Sequence, residues 1–124
     1  MKALVSTGRT DSWVAFADAP QPRPRPNEAL VKVEAFSLNR GETFRLERPA
    51  PAPGATPGPD ERPGKDVAGL VVQAAADGTG PAVCTRVVGH PMAGGWAEYV
   101  AVPTDALAPL PETVPAVCAA ALPL

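Results

Sequence analysis

The stretch "ERPGKDVAGLVV", residues 61 to 72, sets Gly64, Lys65 and Asp66 side by side just ahead of a β-branched apolar run. A free backbone, an ammonium and a carboxylate in a row suit a phosphate cradle, an acid–base site, or the turn that enters a strand. A phosphate loop needs G-x-x-x-x-G-K followed by Ser or Thr, because backbone amides surround the phosphates while the hydroxyl holds magnesium. Gly58 and Gly64 stand one residue too far apart, and Asp66 follows Lys65. The next element also reads as a strand rather than a helix whose N-terminus would face the anion. The phosphate loop is rejected. Adjacent residues of an extended turn point to opposite faces, so Lys65 and Asp66 read first as a surface turn and second as an acid–base pair.

Other chemistry-bearing residues are few. His90, the single histidine, is the side chain that titrates near neutrality without help; beside Pro91 and a glycine-rich stretch it reads first as a loop residue and second as a general base. Cys84 and Cys118 are the only cysteines. They are too few for a disulfide framework, do not make a zinc set with one histidine, and are expected as two separate buried thiols. "DGTGPAV", 77 to 83, begins like G-x-G-x-x-G, but Val83 stands where the third glycine belongs and a strand-like run follows. It reads as a hairpin turn, not a dinucleotide fingerprint. Trp96 and Tyr99 read as core or rim packing.

The elements that must position these groups are short strands. "EALVKVEAF", 28 to 36, alternates, with Leu30, Lys32 and Glu34 on one face and Ala29, Val31, Val33 and Ala35 on the other. "KALV" (2–5), "SWVAFAD" (12–18), "VAGLVVQAA" (67–75), "TRVVGH" (85–90) and "GWAEYVAVP" (95–103) are five more β-like runs bounded by Gly, Pro or Asp. "QPRPRPN", 21 to 27, reads as an extended lead-in, and the Pro/Gly-rich segment 48–64 as a mobile surface loop. The one good helix candidate is the end, "TVPAVCAAALPL", with Thr113 as cap.

With 124 residues, 45% hydrophobic, and a formal charge of −2, the chain fits one soluble domain. Seventeen prolines and eleven glycines favour turns and short strands over long helices. Lys and Arg are not in excess, which argues against a nucleic-acid partner. No apolar run reaches the ~18–20 residues that cross a bilayer, and the start turns polar too early for a signal peptide, so no membrane partner and a cytoplasmic location are expected.

In order, "VKVEAFSLNRGE", "RPGKDVAGLVV", "CTRVVGH", "GGWAEYVAVPTDALAPLPETV" and "AAALP" resemble the GroES-like (chaperonin-10-like) domain of the medium-chain dehydrogenase/reductase superfamily, zinc-independent quinone oxidoreductase branch. The resemblance implies a mainly β fold: a partly open barrel over residues 1–124 with one short C-terminal helix and no Rossmann domain. It implies a cleft in which Asn39, Lys65 and Asp66 hold catalytic positions while Arg40, Glu42, His90 and Trp96 contact substrate, with Arg40 and Glu42 alternatively paired to each other. Zinc-dependent relatives carry Cys where this chain has Asn39 and Gly-His-Glu where it has Gly64, Lys65 and Asp66. An ammonium cannot ligate and an amide ligates weakly, so no metal is expected. Glycine is common in the family at the position of Cys84.

Two functions follow from the resemblance. One is the substrate-side domain of an NADPH-dependent quinone or enoyl reductase, in which this chain alone binds no cofactor and NADPH is implied only if a Rossmann domain is supplied. The other is a self-contained barrel that has lost its cofactor domain and binds, isomerises or cyclises a small apolar metabolite. The apolar end, with Val114, Val117, Leu122 and Leu124, is expected to fold back on the barrel or to meet another copy or a partner chain.

Overall fold

The computed structural model describes residues 1–47 and 61–123. Segment 48–60 and Leu124 lie outside them. Among the described residues, seven strands form two antiparallel sheets. β1 (Lys2–Ser6) and β2 (Val14–Asp18) make a hairpin. β3 (Glu28–Phe36), β4 (Val67–Gln73), β5 (Arg86–Gly89), β6 (Tyr99–Pro103) and β7 (Leu107–Pro109) make a five-stranded sheet in the order β6-β3-β4-β5-β7. The hairpin joins it through an Ala3–Ala97 bridge and the Leu4 N–H on the Trp96 carbonyl at 2.8 Å. The result is the expected mainly β, partly open barrel. Five of the strands fall within the runs read from the sequence and β1 extends one residue past "KALV"; β7 was not foreseen, because three residues ending in proline carry too little alternation to stand out.

The concave face buries Ala29, Val31, Val67, Val71, Val87, Val100 and Val102. The alternation of β3 does not hold along its length. Register shifts against β4 fall at Leu30/Val31 and between Val33 and Ala35, and each bulge changes the phase of the side chains that follow. Ala29 and Val31 therefore lie in the concave core while Ala35 packs in a second cluster with Ala68. Gly69 faces the second shift: a Cβ there would lie 2.0 Å from the Lys32 carbonyl oxygen, so β3 can fold over β4 only because that residue has no side chain.

Two helices are present among the described residues. α1 (Arg40–Leu46) was not foreseen, since Gly41 and the lack of an apolar stripe hide it; only Glu42 and Leu46 are buried. Its signal is the spacing Asn39-x-x-Glu42, in which the Glu42 side chain returns to the N-cap backbone. α2 is four residues, Ala116–Ala119, capped by Pro115 and not by Thr113. A residue before proline is held out of the helical region, so Val114 cannot join and the helix starts after Pro115. α2 folds back: Ala119 and Ala120 pack on Ala68, with Ala35, Val88, Leu110, Val114 and Ala116 around them. Arg86 fastens this tail by donating to the carbonyls of Pro111 (3.0 Å) and Val114 (2.9 Å).

Two further expectations are corrected. Of the loop read as 48–64, residues 62–64 are buried: the Gly94, Gly95 and Trp96 N–H groups donate to the carbonyls of Arg62, Gly64 and Pro63. Gly64 holds φ +110 there, and a Cβ would strike the Trp96 backbone at 2.3 Å. Both cysteines are exposed, not buried. Cys118 lies on the outer side of α2, whose inner side is alanine. Cys84 lies in the turn into β5 at φ +67, a conformation that suits glycine far better.

Candidate functional site

The end of β3, the N-terminus of α1, the turn into β4 and the end of β5 meet at one buried carboxylate. Asp66 is 1% exposed. Its Oδ2 accepts from Ser37 Oγ at 2.7 Å and from Asn39 Nδ2, and its Oδ1 faces His90 Nδ1 at 2.8 Å. Asn39 Nδ2 also reaches Ser37 Oγ at 3.1 Å. Burial alone would push the Asp66 carboxyl up, but donation from Ser37, His90 and Asn39 outweighs it and holds the group below the usual carboxylate range. Asp66 is thus a buried anion with satisfied lone pairs, which corrects its reading as half of a surface turn.

A second carboxylate supports the first. Glu42 is buried, with Oε2 on the Asn39 N–H at 2.8 Å and Oε1 on the Lys65 N–H at 3.0 Å. Both oxygens therefore serve backbone, and the side chain sets the spacing between helix and turn instead of pairing with Arg40. Lys65 is half-buried, and its Nζ comes within 3.9 Å of where a Cβ on Gly41 would stand. Trp96 is 5% exposed, donates Nε1 to the Ser37 carbonyl at 2.9 Å, and stacks on Phe36 with ring centroids 5.6 Å apart.

Of the residues singled out from sequence, Asn39, Asp66 and His90 are brought into direct contact. Lys65, Glu42 and Trp96 adjoin them through backbone bonds, and Arg40 stands exposed at the start of α1. Ser37 was missed, though its place two residues before Asn39 in the stretch that leaves β3 was the available signal. One apolar cleft adjoins the cluster at His90, and a second lies beside Trp96. One, about 270 Å³, is bounded by His90, Val88, Asp105, Leu107 and Leu122; the other, about 250 Å³, lies between the β1–β2 hairpin and Phe36 and Trp96.

The donor set does not fit zinc. Asp66 already accepts from three side chains, the Asn39 amide nitrogen is committed to it, and Lys65 offers an ammonium. Nor does it fit a dinucleotide: "DGTGPAV" links β4 to its antiparallel neighbour β5, with Thr79 N–H on Asp77 Oδ1 at 2.9 Å, so no helix N-terminus faces a pyrophosphate.

A family model described as "Alcohol dehydrogenase GroES-like domain" matches residues 25–112. The chain belongs to that family. GroES-like relatives include the trans-enoyl reductase RAP2 of Pyricularia oryzae, 41% identical over 90 residues, and the trans-enoyl reductase caaB of Aspergillus niger, 35% identical over 122. These alignments cover 66% and 90% of this chain but only 24% and 31% of the relatives' lengths. Among solved GroES-like structures, the quinone oxidoreductase from Thermus thermophilus, described also in complex with NADPH, superposes with a TM-score of 0.72 at 30% identity. The match covers 100% of this chain and 37% of that one. No helix of the described residues is long and apolar enough to cross a membrane.

Proposed function

We propose that this chain is the substrate-side domain of a zinc-independent, NADPH-dependent enoyl or quinone reductase. The observation that carries the reading is the Asp66 cluster. Of the positions that the resemblance gives to catalysis, Asn39 and Asp66 are hydrogen-bonded to each other and Lys65 is held to Glu42 through its backbone N–H, while apolar clefts open beside His90 and beside Trp96. Apolar walls with a few fixed polar groups suit a small carbonyl compound whose hydrocarbon part is buried while its oxygen meets a donor. The nicotinamide would supply the hydride from a nucleotide-binding domain outside residues 1–124. Relatives named as trans-enoyl reductases support the enoyl substrate class. Exposed, unpaired Cys84 and Cys118 support a reducing, cytoplasmic location.

The test is to graft residues 1–124 in place of the matching domain of a trans-enoyl reductase and to follow NADPH oxidation with a crotonyl thioester and with benzoquinone. Turnover that falls with Asn39→Ala is expected. The ungrafted chain should hold zinc below stoichiometry and bind NADPH no tighter than about millimolar, near −4 kcal/mol. A one-to-one NADPH complex of the ungrafted chain, or a zinc-loaded one, ends the reading.

A further inference from the structure

His90 carries chemistry that the domain assignment leaves unused. Its Nδ1 is tied to Asp66 Oδ1 at 2.8 Å, yet 32% of its side chain remains exposed. A carboxylate accepts only, so the hydrogen of that bond belongs to Nδ1. Nε2 is then the basic position of the neutral ring, and it has no partner among the described residues. The charged groups around the ring are Asp66, from the turn ahead of β4, and Asp105, from the turn ahead of β7 on the wall of the same cleft. The backbone is also held: the His90 N–H donates to the Ala106 carbonyl at 3.0 Å.

A buried carboxylate that orients a partly exposed imidazole, itself lining an apolar cleft of about 270 Å³, is the arrangement of a general acid–base residue. We propose that His90 is the acid–base residue of this site, with Asp66 as its positioning residue, and that Nε2 exchanges protons with the carbon α to a substrate carbonyl. Nε2 takes the α-proton as the C–H bond breaks, and the electron pair moves into the carbonyl to give an enolate. Return of a proton from the imidazolium re-forms the C–H bond and restores the neutral ring, with no oxidant or reductant consumed. The carbonyl substrate class rests on the reductase reading above, but the proton transfer requires no nucleotide.

The single histidine makes the test clean. Nitrogen-15 spectra of the 124-residue chain, labelled at its one imidazole, should show the neutral ring protonated at Nδ1. In deuterium oxide, α-proton exchange of cyclohexanone should run on the order of a hundredfold faster with the chain than with His90→Gln, with Asp66→Asn in between. Because Asp66 is buried and its replacement can cost the fold, the test rests on the unsubstituted ring and on the half-exposed His90→Gln, checked as folded by circular dichroism. A ring protonated at Nε2, or exchange no faster than with His90→Gln, overturns the assignment. The reductase reading fails separately, in the grafted enzyme's NADPH oxidation.

Discussion

Asp66 draws three side chains onto one carboxylate, and its energetics follow from what each partner would lose. Replacing it by alanine leaves Ser37, Asn39 and His90 facing a buried void. That change should cost about 3–5 kcal/mol, read as a lower urea midpoint. Its pH dependence has a definite sign. The folded carboxyl is held below its unfolded value, so the stability it contributes is fully present above the ordinary carboxylate pKa of about 4 and is lost as pH falls through the folded value. Urea midpoints of the parent should drop below about pH 4, and Asp66→Asn, if it folds, should flatten that limb; equal acid sensitivity in both would refute the account. Cys84 is the opposite case. At φ +67 a side chain is strained, so Cys84→Gly should stabilise by about 0.5–1 kcal/mol once the extra chain entropy of glycine is subtracted. A destabilised variant would show that the thiol makes a contact outweighing the strain.

At the scale of elements, Glu42 binds α1 to the turn before β4 by accepting one backbone N–H from each. Glu42→Ala should leave both donors unpaired in a buried place, at about 1–3 kcal/mol each. Amide exchange at Asn39 and Lys65 should rise more than in β3 or β4, whereas uniform exchange across the chain would deny Glu42 that local role. The crossing of β3 and β4 is less forgiving. Gly69→Ala puts a methyl 2.0 Å from a backbone oxygen that cannot swing aside. The sheet must open there, so little folded protein is expected by circular dichroism; a native spectrum with an unchanged thermal midpoint would be inconsistent with the bulge geometry.

For the whole molecule, α2 and the tail close one face of the sheet, while Val117 and Leu122 point outward, 71% and 72% exposed. Truncation after Glu112 removes Val114, Ala116, Ala119 and Ala120 from Ala68. At about 25 cal/mol per Å² of apolar surface this should cost roughly 2–3 kcal/mol. We propose that the outward residues contact a second copy, as closed two-fold pairing is the common arrangement for such a patch. Light scattering should report a dimer for the intact chain and a monomer for Val117→Ser with Leu122→Ser. A monomeric parent would assign the patch to a different chain or domain.

Strand placement was legible in the sequence because alternation and turn chemistry are local: the alternating run and β3 span the same nine residues, and the hairpin character of "DGTGPAV" needed only its glycines and the proline. Ordered motifs were enough to indicate the family. The Asn39-x-x-Glu42 spacing was also visible in principle, though Gly41 disguised the helix it starts. The burial of Asp66 was not legible, because a carboxylate becomes tolerable inside only when donors from elsewhere in the chain converge on it, here residues 24 to 29 positions away. The shift of Ala35 out of the concave core and the exposure of both thiols have the same origin. Each depends on a bulge, a backbone angle or a covering face that exists only once strands distant in sequence have paired, so local pattern located the elements while tertiary contact decided which side chains are inside and which share a site.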